Sequence, residues 1–120
     1  MGLLRRHRPH RAAGLRRADR ADHAADVAHL EQFAGSRAGV EAYLEPPTNV
    51  TPDTVVLVAT TGEWTRRRVP SAKAARDLAG RLSIPVYDVA ATGYPRRMRE
   101  WTARRKAAGD TGVPTTRDVG

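Results

Sequence analysis

The clearest pattern in the chain is a continuous apolar run from Val55 to Ala59. A short run of this kind is typical of a central strand that is covered on both faces. Before it, residues 40–45 alternate between apolar and polar, which predicts a strand with one buried face. Its polar side, with Glu41, Tyr43 and Glu45, is expected to face water.

A third strand is predicted after the apolar run. Thr61-Gly62 separates that run from residues 64–69 and is a turn signal, so we expect a tight hairpin. The third strand carries three successive arginines, Arg66, Arg67 and Arg68. Charge on an edge strand discourages pairing with other chains, so the arginines favour an edge position in the sheet.

Helical spacing recurs in the rest of the chain. Asp22 can cap a first helix over about 22–34. A second helix is predicted over about 71–82, where apolar residues follow the i, i+3, i+4, i+7 spacing of one buried stripe. A fourth strand over 84–89 then implies a right-handed parallel crossover from the third strand. A short basic helix is predicted over 96–108.

These elements predict a small α/β protein, with α+β as the alternative. The sheet is expected to be mixed and four-stranded, with one crossover helix and an N-terminal helix, flanked by basic disordered tails. We divide the chain into a disordered basic arm (1–21), a compact α/β domain (22–93) and a basic helix with a flexible tail (94–120). Strand order and oligomeric state stay open at this stage.

The chain carries a strong positive charge. The net charge is +8 and the sequence pI is near 11.1, which favours a partner rich in phosphates or acidic side chains. Almost all of the excess is arginine, beside much Ala, Gly and Pro, a composition that GC-rich coding also produces. The basicity therefore has two explanations, a selected surface and a compositional bias.

Several function classes are excluded by what the sequence lacks. Without cysteine there is no disulfide, thiol redox chemistry or Cys-ligated metal centre. The start MGLLRRHR has no apolar stretch behind its charges, so we expect no secretory signal. No run approaches the ~20 apolar residues that span a bilayer, so we expect no transmembrane segment and a cytoplasmic location.

Candidate anion-binding residues cluster near the arginine-rich strand and the two later helices. Free N–H groups at the start of the second helix, with nearby cations, suit a phosphate, and tryptophans beside arginines can stack on a base. Helix capping by Ser71 and core packing by Trp64 and Trp101 are the alternatives. The candidate residues are Arg66, Arg67, Arg68, Ser71, Lys73, Arg96, Arg97 and Trp101.

Two further groups are weaker candidates. Asp22, Asp26 and His29 share one side of the first helix, as metal ligands would, but the aspartates also suit the first turn of a helix. We therefore expect no metal. Tyr87 and Asp88 lie near the carboxyl end of the last strand, where open α/β sheets often bind ligands, although polar strand ends are common without one.

Three segments resemble a group of small uncharacterised actinobacterial proteins. They are GEWTRRRVPS at 62–71, IPVYDV at 84–89 and GYPRRM at 93–98. Some members of that group carry the label oxidoreductase, so the resemblance implies an oxidoreductase or an accessory subunit of one. It supplies no catalytic residue. The chain lacks G-x-G-x-x-G and Tyr-x-x-x-Lys patterns, so we expect no cofactor.

Three hypotheses follow for the function. The first is a non-enzymatic basic adaptor that binds an anionic partner, either nucleic acid, a nucleoprotein or an acidic protein. The second is the small oxidoreductase or accessory protein that the resemblance implies. The third is a protein-binding module that uses the exposed edge of the arginine-rich strand.

Overall fold

The computed structural model is an α/β fold that describes residues 9–48 and 53–109, with side chains from Arg20 onwards. Secondary structure follows the order α, β, β, β, α, β, α, α. The elements are α1 (Pro9–Ser36), β1 (Glu41–Glu45), β2 (Thr54–Val58), β3 (Trp64–Arg68), α2 (Ala72–Arg81), β4 (Val86–Asp88), α3 (Val89–Thr92) and α4 (Arg96–Ala107).

The four strands form one mixed sheet in the order β3-β2-β1-β4. β2 is antiparallel to both β1 and β3, whereas β4 is parallel to β1, with Ala42 opposite Leu57 on one side and Val86 on the other. The chain crosses from one edge of the sheet to the other through α2. The predicted mixed sheet, the hairpin and the edge position of the arginine-rich strand are thus confirmed.

The first face of the sheet is covered by α1 and α2. Strand side chains alternate between the faces, so Val55 and Leu57 of β2 point to this side together with alternate residues of β1. They pack against Leu30 of α1 and Leu78 of α2. The apolar stripe predicted for the second helix is the surface that it buries.

The second face is also covered, so the prediction that the polar side of β1 faces water is wrong. Tyr43 is only 6% exposed and packs with Val56, Val58 and Met98 in a second core cluster. Met98 belongs to α4, which therefore docks on this face of the sheet. The packed part of the chain extends beyond Gly93 for the same reason.

The first helix begins earlier than predicted. It starts at Pro9, whereas the predicted cap was Asp22. Residues 9–21 are mainly Ala, Arg and Leu, which are among the strongest helix formers, and proline is favoured at the first helical position. Of the predicted basic arm at 1–21 and the C-terminal segment at 94–120, residues 1–8 and 110–120 lie outside the described residues, as does the middle of the loop before β2.

The fourth strand is shorter than the range predicted over 84–89. Asp88 ends it, because its side chain caps α3 by accepting a hydrogen bond from the backbone N–H of Ala90 at 3.0 Å. Within the described part of the chain, none of the helices combines the length and the apolar character that crossing a bilayer requires.

Candidate anion-binding face

α4 is attached to the second face of the sheet by apolar and polar contacts. Met98 is buried against β1 and β2, and Trp64 Nε1 donates a hydrogen bond to Thr102 Oγ1 at 3.0 Å. Trp101 is partly buried near the hairpin. The predicted packing roles of Trp64 and Trp101 are therefore present in the structure.

Gly62 lets α4 approach the hairpin closely. Its φ of 97° lies in the left-handed region, and a Cβ at this position would overlap the backbone carbonyl oxygen of Arg97 and lie 2.8 Å from Trp101 Cβ. Only glycine meets both conditions without strain. The turn residue thus positions α4 as well as the hairpin.

Arg97 fastens the start of α4 to the sheet. Its Nε donates to the carbonyl oxygen of Ala59 at 2.9 Å, and its Nη2 lies 2.7 Å from Glu41 Oε1. Burial alone would raise the pKa of Glu41, but hydrogen bonds from Arg97 and Tyr43 outweigh it and lower that pKa. Burial, together with the Glu41 carboxylate, raises the pKa of Tyr43 to about 12.

Arg66 is held by a partly buried carboxylate on the same face. Its Nε and Nη2 each donate to one oxygen of Glu45 at 2.8 Å, and the Glu45 side chain is only 12% exposed. Thr54 and Tyr94 also donate to Glu45. Burial would raise the pKa of Glu45, but these hydrogen bonds outweigh it and hold the pKa below its ordinary value.

Arg67 lies on the opposite face, towards α1, and is buried. Its Nε is 3.4 Å from Asp26 Oδ1, and its Nη1 donates to the backbone carbonyl of Arg66 at 2.9 Å. On the same face, a hydrogen bond of 2.7 Å joins His29 Nε2 and Thr65 Oγ1. Asp26 and His29 thus join α1 to β3, and no cluster suited to a metal occurs among the described residues.

Ser71 and Lys73 also belong to the first face, because they lie at the start of α2. Ser71 Oγ accepts a hydrogen bond from the backbone N–H of Ala74 at 3.0 Å, which caps the helix. Lys73 Nζ lies 2.9 Å from Asp77, one turn further along. The sheet therefore separates Arg67, Ser71 and Lys73 from the other candidate residues.

Among the residues whose side chains are described, the exposed cations concentrate on α4. The inward direction of this helix is set by Met98 and Trp101, so helical spacing places a set of basic side chains on the outward side and the flanks of the helix. All of them are exposed, and no ion pair to a carboxylate is found for them within residues 20–48 and 53–109. They are Arg96, Arg99, Arg104 and Lys106. On one flank, Arg104 Nη2 donates a hydrogen bond to the carbonyl oxygen of Thr61 at 3.0 Å.

Sequence reasoning included Arg96 in the site but missed Arg99, Arg104 and Lys106. The signal was present, because once Met98 and Trp101 are placed inwards the helical period puts the other three residues outwards or on the flanks of the helix. Arg68 is exposed on β3, on the same side of the sheet as α4, because it alternates with Arg66 and Trp64. It extends the basic surface beyond the helix.

A shallow groove runs along one side of α4. Its lining is mainly apolar, and its volume is about 300 Å³. The lining residues are Tyr94, Met98, Arg99, Thr102, Ala103 and Lys106. Two of the outward cations, Arg99 and Lys106, therefore stand at the border of an apolar depression.

The carboxyl end of β4 forms no comparable surface. Tyr87 packs beside Tyr43 with ring centroids 5.3 Å apart, and Asp88 caps α3. A smaller cavity of about 100 Å³ lies nearby and includes Glu45, Asp53 and Arg76 in its lining. Both carboxylates already have structural roles, because Glu45 is paired with Arg66 and Asp88 caps a helix.

No protein-family model, curated protein or solved structure matches this chain.

Proposed function

We propose that this protein is a non-enzymatic adaptor that binds nucleic acid through the outward side of α4. The observation that carries the proposal is the division of the basic side chains into two groups. Those at the sheet, such as Arg66, Arg67 and Arg97, are paired with carboxylates. Those on the outward side of α4 are exposed and have no such pair among the described residues.

The spacing of the α4 cations suits a polymer of phosphates. From Arg96 to Lys106 the helix rises by about 15 Å. A strand of duplex carries one phosphate per ~3.4 Å of helix axis, so this length lies beside several phosphates. Arginine is suited to the task because its planar guanidinium can donate two parallel hydrogen bonds to one phosphate.

The helix α2, on the first face of the sheet, lacks this concentration of unpaired charge. Its Lys73 lies 2.9 Å from Asp77, and its Arg81 lies 3.7 Å from Glu31. On α4 the single acidic residue is Glu100. Counter-ions will therefore accumulate at α4 more than at α2, and their release on binding a phosphate polymer favours association.

The state of the carboxylates supports a binding role over acid-base catalysis. Glu41, Glu45 and Glu63 each bond to an arginine, and the pKa of each is lowered. A general base works best when its pKa is near the operating pH. Carboxylates held in ion pairs with lowered pKa values are poor candidates for that chemistry.

A salt titration of the full chain tests the proposal. Binding to a fluorescent single-stranded RNA is measured at increasing salt concentrations. Four phosphate contacts predict that the logarithm of the binding constant falls with the logarithm of the salt concentration with a slope of about −3. A neutral polymer of similar length serves as the control ligand. Lack of RNA and DNA binding at low salt would overturn the proposal.

A further inference from the structure

We propose that the groove beside α4 receives one unpaired base, so that this surface prefers single-stranded nucleic acid to duplex. This inference rests on the proposed function and adds the substrate class. The groove and the cations lie side by side, an arrangement that binding through charge alone does not require. An apolar groove of about 300 Å³ lies between outward cations that suit phosphates.

The groove offers an aromatic ring whose position is fixed. Tyr94 lines it while the Tyr94 hydroxyl donates a hydrogen bond to Glu45. Glu45 is in turn held by Arg66 and Thr54. The ring is thereby positioned before any ligand arrives, and a positioned ring loses little entropy when a base stacks on it.

The cations stand where the backbone of such a nucleotide would pass. Arg99 and Lys106 are separated by two helical turns and both line the groove, while Arg96 lies further round the outward side. A strand that follows the helix can place its phosphates against these side chains and turn one base towards Met98 and Ala103. The apolar residues of the groove thus suit the base of a nucleotide, and the cations beside them suit its phosphate.

A duplex cannot use the groove in the same way. Its bases are stacked and paired, and turning one outwards costs unstacking and unpairing energy. An unpaired base in a single strand avoids that cost. At equal salt, duplex should therefore bind through phosphates alone, whereas a single strand gains the additional contact in the groove.

The test fills the groove without changing charge. Ala103 is an exposed residue of α4 that lines the groove, so Ala103→Leu should occupy it while keeping the helix intact. Ala107→Leu is the matched control, because Ala107 is exposed on the same helix but does not line the groove. The full chain and both variants are titrated with a short single-stranded DNA that contains a fluorescent adenine analogue, and with its duplex.

For the unmodified chain we expect tighter binding to the single strand and quenching of the analogue by stacking. Ala103→Leu should weaken single-strand binding about tenfold, the loss of one stacked base, and abolish the quenching, while duplex binding stays unchanged. Ala107→Leu should behave like the unmodified chain.

Two outcomes would count against these proposals and can be told apart. Equal binding of single strand and duplex, unaffected by Ala103→Leu, would overturn the groove inference while leaving nucleic-acid binding in place. Absence of binding to both ligands at low salt would overturn the proposed function and the inference together.

Discussion

At the scale of single residues, arginine serves two different physical purposes in this protein. Arg66 and Arg97 complete hydrogen-bond networks on the sheet, whereas the outward arginines of α4 remain exposed. The sequence does not distinguish the two sets, because the carboxylates that hold Arg66 and Arg97 lie 21 and 56 positions away along the chain. Pairing over such separations depends on the tertiary fold.

The Glu45 network gives a test at this scale. Glu45→Gln removes the charge that holds Arg66 and should lower the free energy of unfolding by about 2 kcal/mol, because a half-buried guanidinium loses its bonded carboxylate. Glu31→Gln is the matched control. Its carboxylate lies 3.7 Å from Arg81 at the surface, so the expected change is below about 0.5 kcal/mol. Urea denaturation of both variants measures the difference, and equal effects would contradict the role of Glu45.

The lowered pKa values predict how stability depends on pH. Glu41, Glu45 and Glu63 have lower pKa values in the folded protein than the ordinary value of 4.5. The stabilisation from these groups is therefore present above pH 4.5 and is lost as the pH falls through the lower folded values. Urea denaturation at a series of pH values should show stability that declines on acidification, and Glu45→Gln should make the decline shallower. Equally steep declines in the two proteins would contradict the coupling.

At the scale of secondary-structure elements, the local sequence pattern predicted the elements whose apolar or charged residues follow a regular arrangement within one segment. The continuous apolar run became β2, the apolar stripe became α2, and three arginines marked the edge strand β3. The environment of Tyr43 could not be predicted in this way. Its burial requires α4 to dock through Met98, a contact between distant segments that the alternation within β1 does not contain.

The close contact between α4 and the hairpin can be tested at Gly62. Gly62→Ala should lower the free energy of unfolding by about 2 kcal/mol or more, because the added Cβ combines a left-handed backbone with overlap against Arg97. Gly80→Ala is the matched control in α2, where no atom lies within 4 Å of the added Cβ. It should raise stability by roughly 0.5–1 kcal/mol. Thermal or urea unfolding measures both changes, and destabilisation of similar size by the two would contradict the account.

At the scale of the whole molecule, the sheet divides the basic surface into two sides. Net charge and the grouping of arginines in the sequence indicated an anionic partner. The single site predicted from them contained residues that lie on both faces of the sheet. Ser71 and Lys73 lie at the start of α2, whereas Arg96 and Trp101 lie on α4. Only the topology shows this separation, since the crossover through α2 carries the chain from one edge of the sheet to the other.

The role of the α4 cations in binding is tested by comparing two triple variants with the same change in charge. One is Arg96→Gln/Arg99→Gln/Arg104→Gln on α4, and the other is Lys73→Gln/Arg76→Gln/Arg81→Gln on α2. Each is titrated with the same single-stranded RNA across a salt series. We expect the α4 variant to bind more weakly, with a salt slope shallower by about 2, while the α2 variant keeps nearly the original slope. Equal losses in the two variants would show that net charge, rather than the α4 surface, determines binding, and would contradict that role.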